Sequence, residues 1–156
     1  MNDMANTMAD AGTATVTLRA PKDAADWQQV HGLRRRALFA HDPDYDPDHP
    51  DDRNPDHRVL VLAAGEDVLG TLRLDFSQPV WAAMRLVAVD PERRGLGFGR
   101  AMLAKAEAFI KEKGWRQVRL HAKPLAVGFY QRAGYHPVHW DEPPRDPNGV
   151  NMGKAL

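Results

Sequence analysis

Glycines at three alternate positions, Gly95, Gly97 and Gly99, stand where one hydrophobic pattern stops and another starts. Before them, Val80 to Val89 reads as a strand that ends at Asp90-Pro91. After them, Met102, Leu103, Ala106, Phe109 and Ile110 recur at helical spacing, Glu107 supports Lys111, and Gly114 closes the pattern. A helix is therefore predicted over about 97–113. A strand, a charged turn and a helix must follow one another here. Without side chains at the turn, backbone N–H groups can come close to an anion. Unpaired amides and the positive helix end then form a site for phosphate or pyrophosphate, and Arg93, Arg94 and Arg100 add charge around it. Any of the three glycines lying inside the helix costs it roughly 1 kcal/mol, a cost that suggests a function.

The rest of the chain supplies further strands. Thr15 to Arg19 alternates and is read as a first strand; Asp23 or Asp26 can cap a helix running to about Ala40. Trp27, Val30, Leu33, Ala37 and Leu38 form its apolar stripe, and Arg34 to Arg36 are read as a solvated face. Arg58 to Ala64 and Val68 to Phe76 form a hairpin about Gly65-Glu66-Asp67. Period-2 alternation puts Val68, Gly70, Leu72, Leu74 and Phe76 on one face of the second strand, and Leu69, Thr71, Arg73 and Asp75 on the other. A strand over 116–122, a short helix over 125–133, a strand from Tyr135 and a last strand over 150–154 complete the order. The expected fold is α/β: a mixed, mostly antiparallel central sheet of six to seven strands with helices on both faces. Residues 1–13 read as a flexible leader and 14–156 as a single domain.

Composition removes several function classes. Lys plus Arg and Asp plus Glu each total 21, so the basic surplus of a nucleic-acid-wrapping domain is missing. There is no cysteine, which excludes disulfides, thiolate metal sites and cysteine nucleophiles and fits a reducing, cytoplasmic setting. No apolar run approaches the roughly 20 residues of a membrane span, and the N-terminus has no signal-peptide core. No metal is expected: His41, His49 and His57 recur every eight residues in a loop, a spacing that fixes no coordination geometry. The loop itself, residues 41–57, carries four prolines and seven aspartates. Pro47 and Arg53 stand where a calcium loop needs Gly and Glu, so that reading fails. A solvated acidic loop is the preferred reading, and attraction of a cationic substrate the other.

The glycine turn matches neither the P-loop string nor the dinucleotide fingerprint, for which Gly would be needed where Arg100 or Met102 stands. With Arg94, Gly97 and Gly99 after Val89-Asp90-Pro91, and with Ala126, Phe129, Tyr130, Gly134 and Tyr135 about 30 residues further on, the chain resembles the GNAT superfamily of acetyl-CoA-dependent N-acetyltransferases. The likeness covers about residues 15–156. It implies acetyl-CoA as co-substrate, with Val87, Ala88 and Val89 pairing with the pantetheine arm through their main chain. The amides of Gly95, Leu96, Gly97, Phe98, Gly99 and Arg100 would hold the pyrophosphate. Tyr130 falls where the family places the proton donor to the departing thiolate. Many members have Asn where this chain has Lys123, so Lys123 is expected to reach the cofactor in a different way.

The chemistry fits these parts. An amine must be neutral to attack a thioester, so a base or water chain must take its proton. A thiol titrates near 8.5 and a phenol near 10, so Tyr130 can protonate the leaving sulfur without prior ionisation. Direct transfer in a ternary complex needs no protein nucleophile. His121, near the end of a strand, is the candidate base; Asp75 and Glu92 are other carboxylates near strand ends, although Arg73 and Asp75 share a face and can simply pair. His136, His139 and Trp140 are placed on a late strand bordering the acceptor site, and Phe129 is assigned to packing. The expected partner is an amine-bearing small molecule or protein, with no nucleic acid or membrane partner and with a homodimer possible. The alternative is a non-catalytic acyl-CoA-binding or regulatory module of the same fold.

Overall fold

The computed structural model describes residues 15–40 and 42–156; the predicted leader, residues 1–13, and His41 lie outside the described residues. Seven strands form one sheet: β1 Thr17–Arg19, β2 His57–Ala64, β3 Asp67–Asp75, β4 Trp81–Val89, β5 Gln117–Ala122, β6 His136–Pro137 and β7 Val150–Ala155. Their spatial order is β1-β2-β3-β4-β5-β7-β6, and every pairing is antiparallel except β4 with β5. Helix α1 spans Ala24–Ala37, α2 Phe98–Glu112 and α3 Val127–Arg132.

The first helix starts because the Asp23 side chain accepts the Asp26 amide at 2.9 Å. Val30 and Leu33 of α1 pack with Val59, Val61, Ala63 and Val68 on one face of the sheet. On the other face Leu60, Leu72, Leu74, Met84, Leu120 and Met152 meet Met102, Ala106 and Ile110 of α2 and Tyr130 of α3. Helices thus cover both faces of a mostly antiparallel sheet, as expected.

Three expectations need correction. Leu69 joins Leu72 and Leu74 on the α2 face while Val68 turns to α1, opposite to strict alternation. The cause is one extra residue in β3, because Leu62 pairs with Gly70 but Ala63 with Val68. The strand from Tyr135 is only two residues long, so Trp140 lies outside it. Arg34 is not solvated but 1% exposed, with its guanidinium donating to both Asp52 oxygens at 2.8 and 3.0 Å. The acidic loop is largely exposed, as preferred, but it is anchored rather than free. It contains a 3₁₀ turn, Pro50–Arg53, docked on α1 through this ion pair.

Candidate active site

β4 and β5 pair at Trp81–Gln117, Ala82–Val118 and Ala83–Arg119, and then stop. Beyond that point β4 continues along β3 as far as Val89, and β5 along β7 as far as Ala122. The two central strands therefore part. Opposite Thr71 to Arg73 of β3, β4 carries one extra residue, and Leu86 there has a φ of 53°. A leucine in the left-handed region is strained, and such a bulge re-aims the main chain beside the parting.

A cavity of about 790 Å³ occupies this opening. Met84, Leu120 and Tyr130 line it from the α2 face; Arg73, Asp75, Arg85, His121 and Glu142 line it from the α1 face. The cavity thus passes through the sheet. Phe39, Asp42, Asp44, Tyr45, His49 and Asp51 wall its outer end. The acidic segment is therefore a rim of the cavity.

The glycine turn leads from β4 into α2. Gly95 and Gly97 have φ values of 81° and 88°, which L-residues rarely adopt; Gly99 is ordinary helix. Gly97 is the N-cap and supplies no side-chain cap, and the first bond of the helix runs from the Ala101 amide to the Gly97 carbonyl at 3.0 Å. Among the described residues, the amides of residues 97–100 have no protein acceptor. These donors and the helix end suit a diphosphate. Arg94, Leu96 and Arg100 are exposed around them, while the Phe98 ring is buried in the core.

The second motif folds against the first. Phe129 of α3 lies 3.5 Å from where a Gly99 Cβ would stand, so it packs on the opening turn of α2, as assigned. Tyr130, the next residue, is 7% exposed and edge-on to both Phe129 and Tyr135. Its hydroxyl makes no hydrogen bond among the described residues, and burial pushes its pKa up to about 12. Val87, His121, Lys123 and Tyr130 line the same cavity. Ala88 and Val89 pair with β3, and the glycine turn lies beyond the lining. The exposed Lys123 precedes the 3₁₀ turn Pro124–Ala126 that leads into α3.

His121 projects from β5 on the α1 face, with Trp140 stacked on it at 4.2 Å and 9°. Nδ1 meets Asn151 Oδ1 at 2.6 Å and Nε2 meets Glu142 Oε2 at 2.5 Å. Arg85 donates to both Glu142 oxygens (2.5 and 2.9 Å) and, through Nε, to Asp75 at 2.8 Å. Arg85 pulls the Glu142 carboxyl down, burial opposes it and His121 adds to the pull, leaving the group at about 2. Arg73 pairs with Asp75 as expected, at 2.7 and 3.0 Å, but shares that carboxylate with Arg85. Sequence reasoning missed Glu142, Asn151 and Arg85, whose partners lie 10 to 57 residues away with no local signature. Of the late residues, only Trp140 reaches the site. His136 pairs with Gly153 in β6, His139 is 92% exposed beside Asp141, and Glu92 is exposed in a 3₁₀ turn.

A model of the acetyltransferase (GNAT) domain matches residues 55–137, more than half of the chain. The chain belongs to the GNAT family. It is 37% identical over 77 residues to serotonin N-acetyltransferase 2, chloroplastic, of Oryza sativa subsp. japonica, covering 49% of this chain and 33% of that protein. It is 42% identical over 53 residues to mycothiol acetyltransferase of Cellulomonas flavigena, covering 32% of this chain and 15% of that protein. The chain therefore matches a third or less of the length of these relatives. An aminoglycoside 6'-N-acetyltransferase complexed with coenzyme A has the same fold, with a TM-score of 0.77, 13% identity, and coverage of 90% of this chain and 96% of that one. So does the ribosomal-protein-S18-alanine N-acetyltransferase from Escherichia coli, with a TM-score of 0.71, 16% identity, and coverage of 90% and 94%. Among the described residues, no helix of this GNAT chain is long and apolar enough to cross a membrane.

Proposed function

We propose that this GNAT chain is an N-acetyltransferase that moves the acetyl group of acetyl-CoA directly to an amine in a ternary complex. The observation that carries this reading is the parting of β4 from β5 beyond Ala83–Arg119, with unpaired α2 amides past the end of β4 and the Tyr130 ring in the opening. The co-substrate supplies an activated acyl group and a thiolate that leaves. The edge of β4 over Val87 to Val89 offers main-chain groups to an extended ligand in place of a strand. The amides of Gly95 to Arg100 grip its diphosphate, with Arg94 and Arg100 screening its charge. Lys123 reaches toward the same ligand from the mouth of α3. A main-chain amide at the bulge polarises the acyl carbonyl as a fixed donor.

Tyr130 donates the proton that the departing sulfur takes up; its burial keeps the phenol protonated at neutral pH. His121 takes a proton from the amine. The acceptor is an amine on a small molecule or a protein, and the acidic rim favours a cationic one. Residues 14–156 act as one catalytic domain, and the cysteine-free sequence suits the cytoplasm. Isothermal titration with acetyl-CoA, followed by thiol release in the presence of an amine panel, tests the reading. Binding without thiol release with any amine would favour an acyl-CoA-binding module; no binding would end both.

A further inference from the structure

His121 is constrained on all sides. Asn151 Nδ2 donates to the carbonyls of Trp140 (3.3 Å) and Glu142 (3.0 Å), which assigns Oδ1 as the atom facing His121 Nδ1. Nδ1 therefore carries a hydrogen, and Nε2 is the ring nitrogen able to exchange one. A bare Nε2 would repel a carboxylate oxygen at 2.5 Å, so a hydrogen is shared there too. Trp140 prevents the ring from turning, and Arg85 anchors Glu142 with two bonds. Arg85 from β4, Asp75 behind it on β3, Asn151 from β7 and the segment carrying Trp140 and Glu142 are the polar and charged surroundings of the ring. Arg85, His121 and Glu142 line the same cavity as Tyr130.

A primary ammonium offers two hydrogens where the pair now shares one. We propose that the acceptor's ammonium docks from the cavity against the His121 Nε2–Glu142 Oε2 pair, with Asn151 as the positioning residue that keeps Nε2 the proton-accepting nitrogen. This rests on the acetyl-transfer reading above. As the ammonium enters, the shared hydrogen leaves to solvent. One ammonium proton passes to Nε2, and Glu142 keeps the neutral amine by a second N–H. When the C–N bond forms and the C–S bond breaks, the surplus proton on nitrogen goes to Tyr130 as the Tyr130 proton goes to sulfur. The proton that His121 took stays on Nε2 as the hydrogen shared with Glu142, which restores the resting pair. Ammonium and thioester have become amide, thiol and one proton.

Nitrogen-15 NMR of histidine-labelled protein tests the assignment without turnover, with the His121 signal identified by its loss in His121→Gln and His139→Ala as an unaffected control. The neutral wild-type ring is expected to carry its hydrogen on Nδ1. Asn151→Ala gives a mixture of tautomers, and Asn151→Asp, which retains an acceptor oxygen, restores the wild-type pattern. A wild-type ring with bare Nδ1 overturns the proposal. In kinetics with ethanolamine, a diamine and a peptide N-terminus, Glu142→Gln raises KM for the amine about tenfold and leaves acetyl-CoA affinity unchanged. His121→Gln lowers kcat/KM about a hundredfold at neutral pH and recovers as pH rises toward the pKa of the amine. An unchanged amine KM in the first variant, or a pH-independent deficit in the second, also overturns it. Wild-type protein that acetylates no amine overturns the acetyl-transfer reading instead, while the NMR still decides the tautomer.

Discussion

Arg34 and Asp52, 18 residues apart, form a two-pronged ion pair whose side chains are 1% and 7% exposed, tying the acidic segment to α1. Removing one partner of a buried pair leaves the other charge uncompensated. Asp52→Ala is expected to lower stability by about 3 kcal/mol in urea denaturation. A loss below about 1 kcal/mol would show that Arg34 finds solvent or another partner.

The glycines of the turn are not equivalent. Gly97→Ala forces a Cβ into the left-handed region and is expected to cost about 1 to 2 kcal/mol in thermal unfolding, with weaker coenzyme A binding. Gly99→Ala places a Cβ at an ordinary 3.5 Å from Phe129 and favours the helix, so stability should hold or rise by up to about 1 kcal/mol. Equal losses in both variants would refute the distinction.

Tyr130→Phe removes an unpartnered hydroxyl and leaves the ring packing in place. Turnover should fall about a hundredfold, with coenzyme A affinity within about twofold of wild type. Because burial raises this phenol to about 12, the pH–rate profile should show no limb from it below about pH 10. Unchanged turnover would remove Tyr130 from the chemistry.

Glu142 sits at about 2 in the folded protein against an ordinary 4.5. A lowered carboxyl binds fewer protons folded than unfolded. Its stabilisation is therefore present above about pH 4.5 and lost as pH falls toward 2. Wild type should exceed Glu142→Gln in stability at neutral pH, and the two should converge on acidification through that window, as followed by chemical denaturation at each pH. Parallel curves would mean that the pairing with Arg85 and His121 does not form.

The elements of this fold were legible because they are local. The alternation of β2 and β3, the stripe of α2, the glycine turn and the Phe129-Tyr130 pair each reveal themselves within a window of ten residues or so. Leu69 and Val68 broke the pattern because one inserted residue reverses the phase of a strand, and nothing in the letters marks where a bulge falls. Arg34 read as solvated because charge alone sets the prior, and its partner sits in a loop that lacks periodicity. His121 could be singled out by its place on a strand. Glu142, Asn151 and Arg85 could not, since they meet only through the register of β5 with β7 and the path of the segment between β6 and β7.

That register also lays a file of polar side chains across five strands: His57, 3.5 Å from Asp75, then Arg85, Glu142, His121 and Asn151. Arg85, Glu142 and His121 each divide their hydrogen bonds between two neighbours in the file, while Asp75 accepts from Arg73 and Arg85 and meets His57 only as a close charge, so a change at one member is passed to the next. Substitutions at the two ends, His57 on β2 and Asn151 on β7, should therefore be energetically epistatic despite sharing no contact. Under the proposed acetyl transfer, a substitution on β2 should therefore be felt at His121 on β5, three strands away.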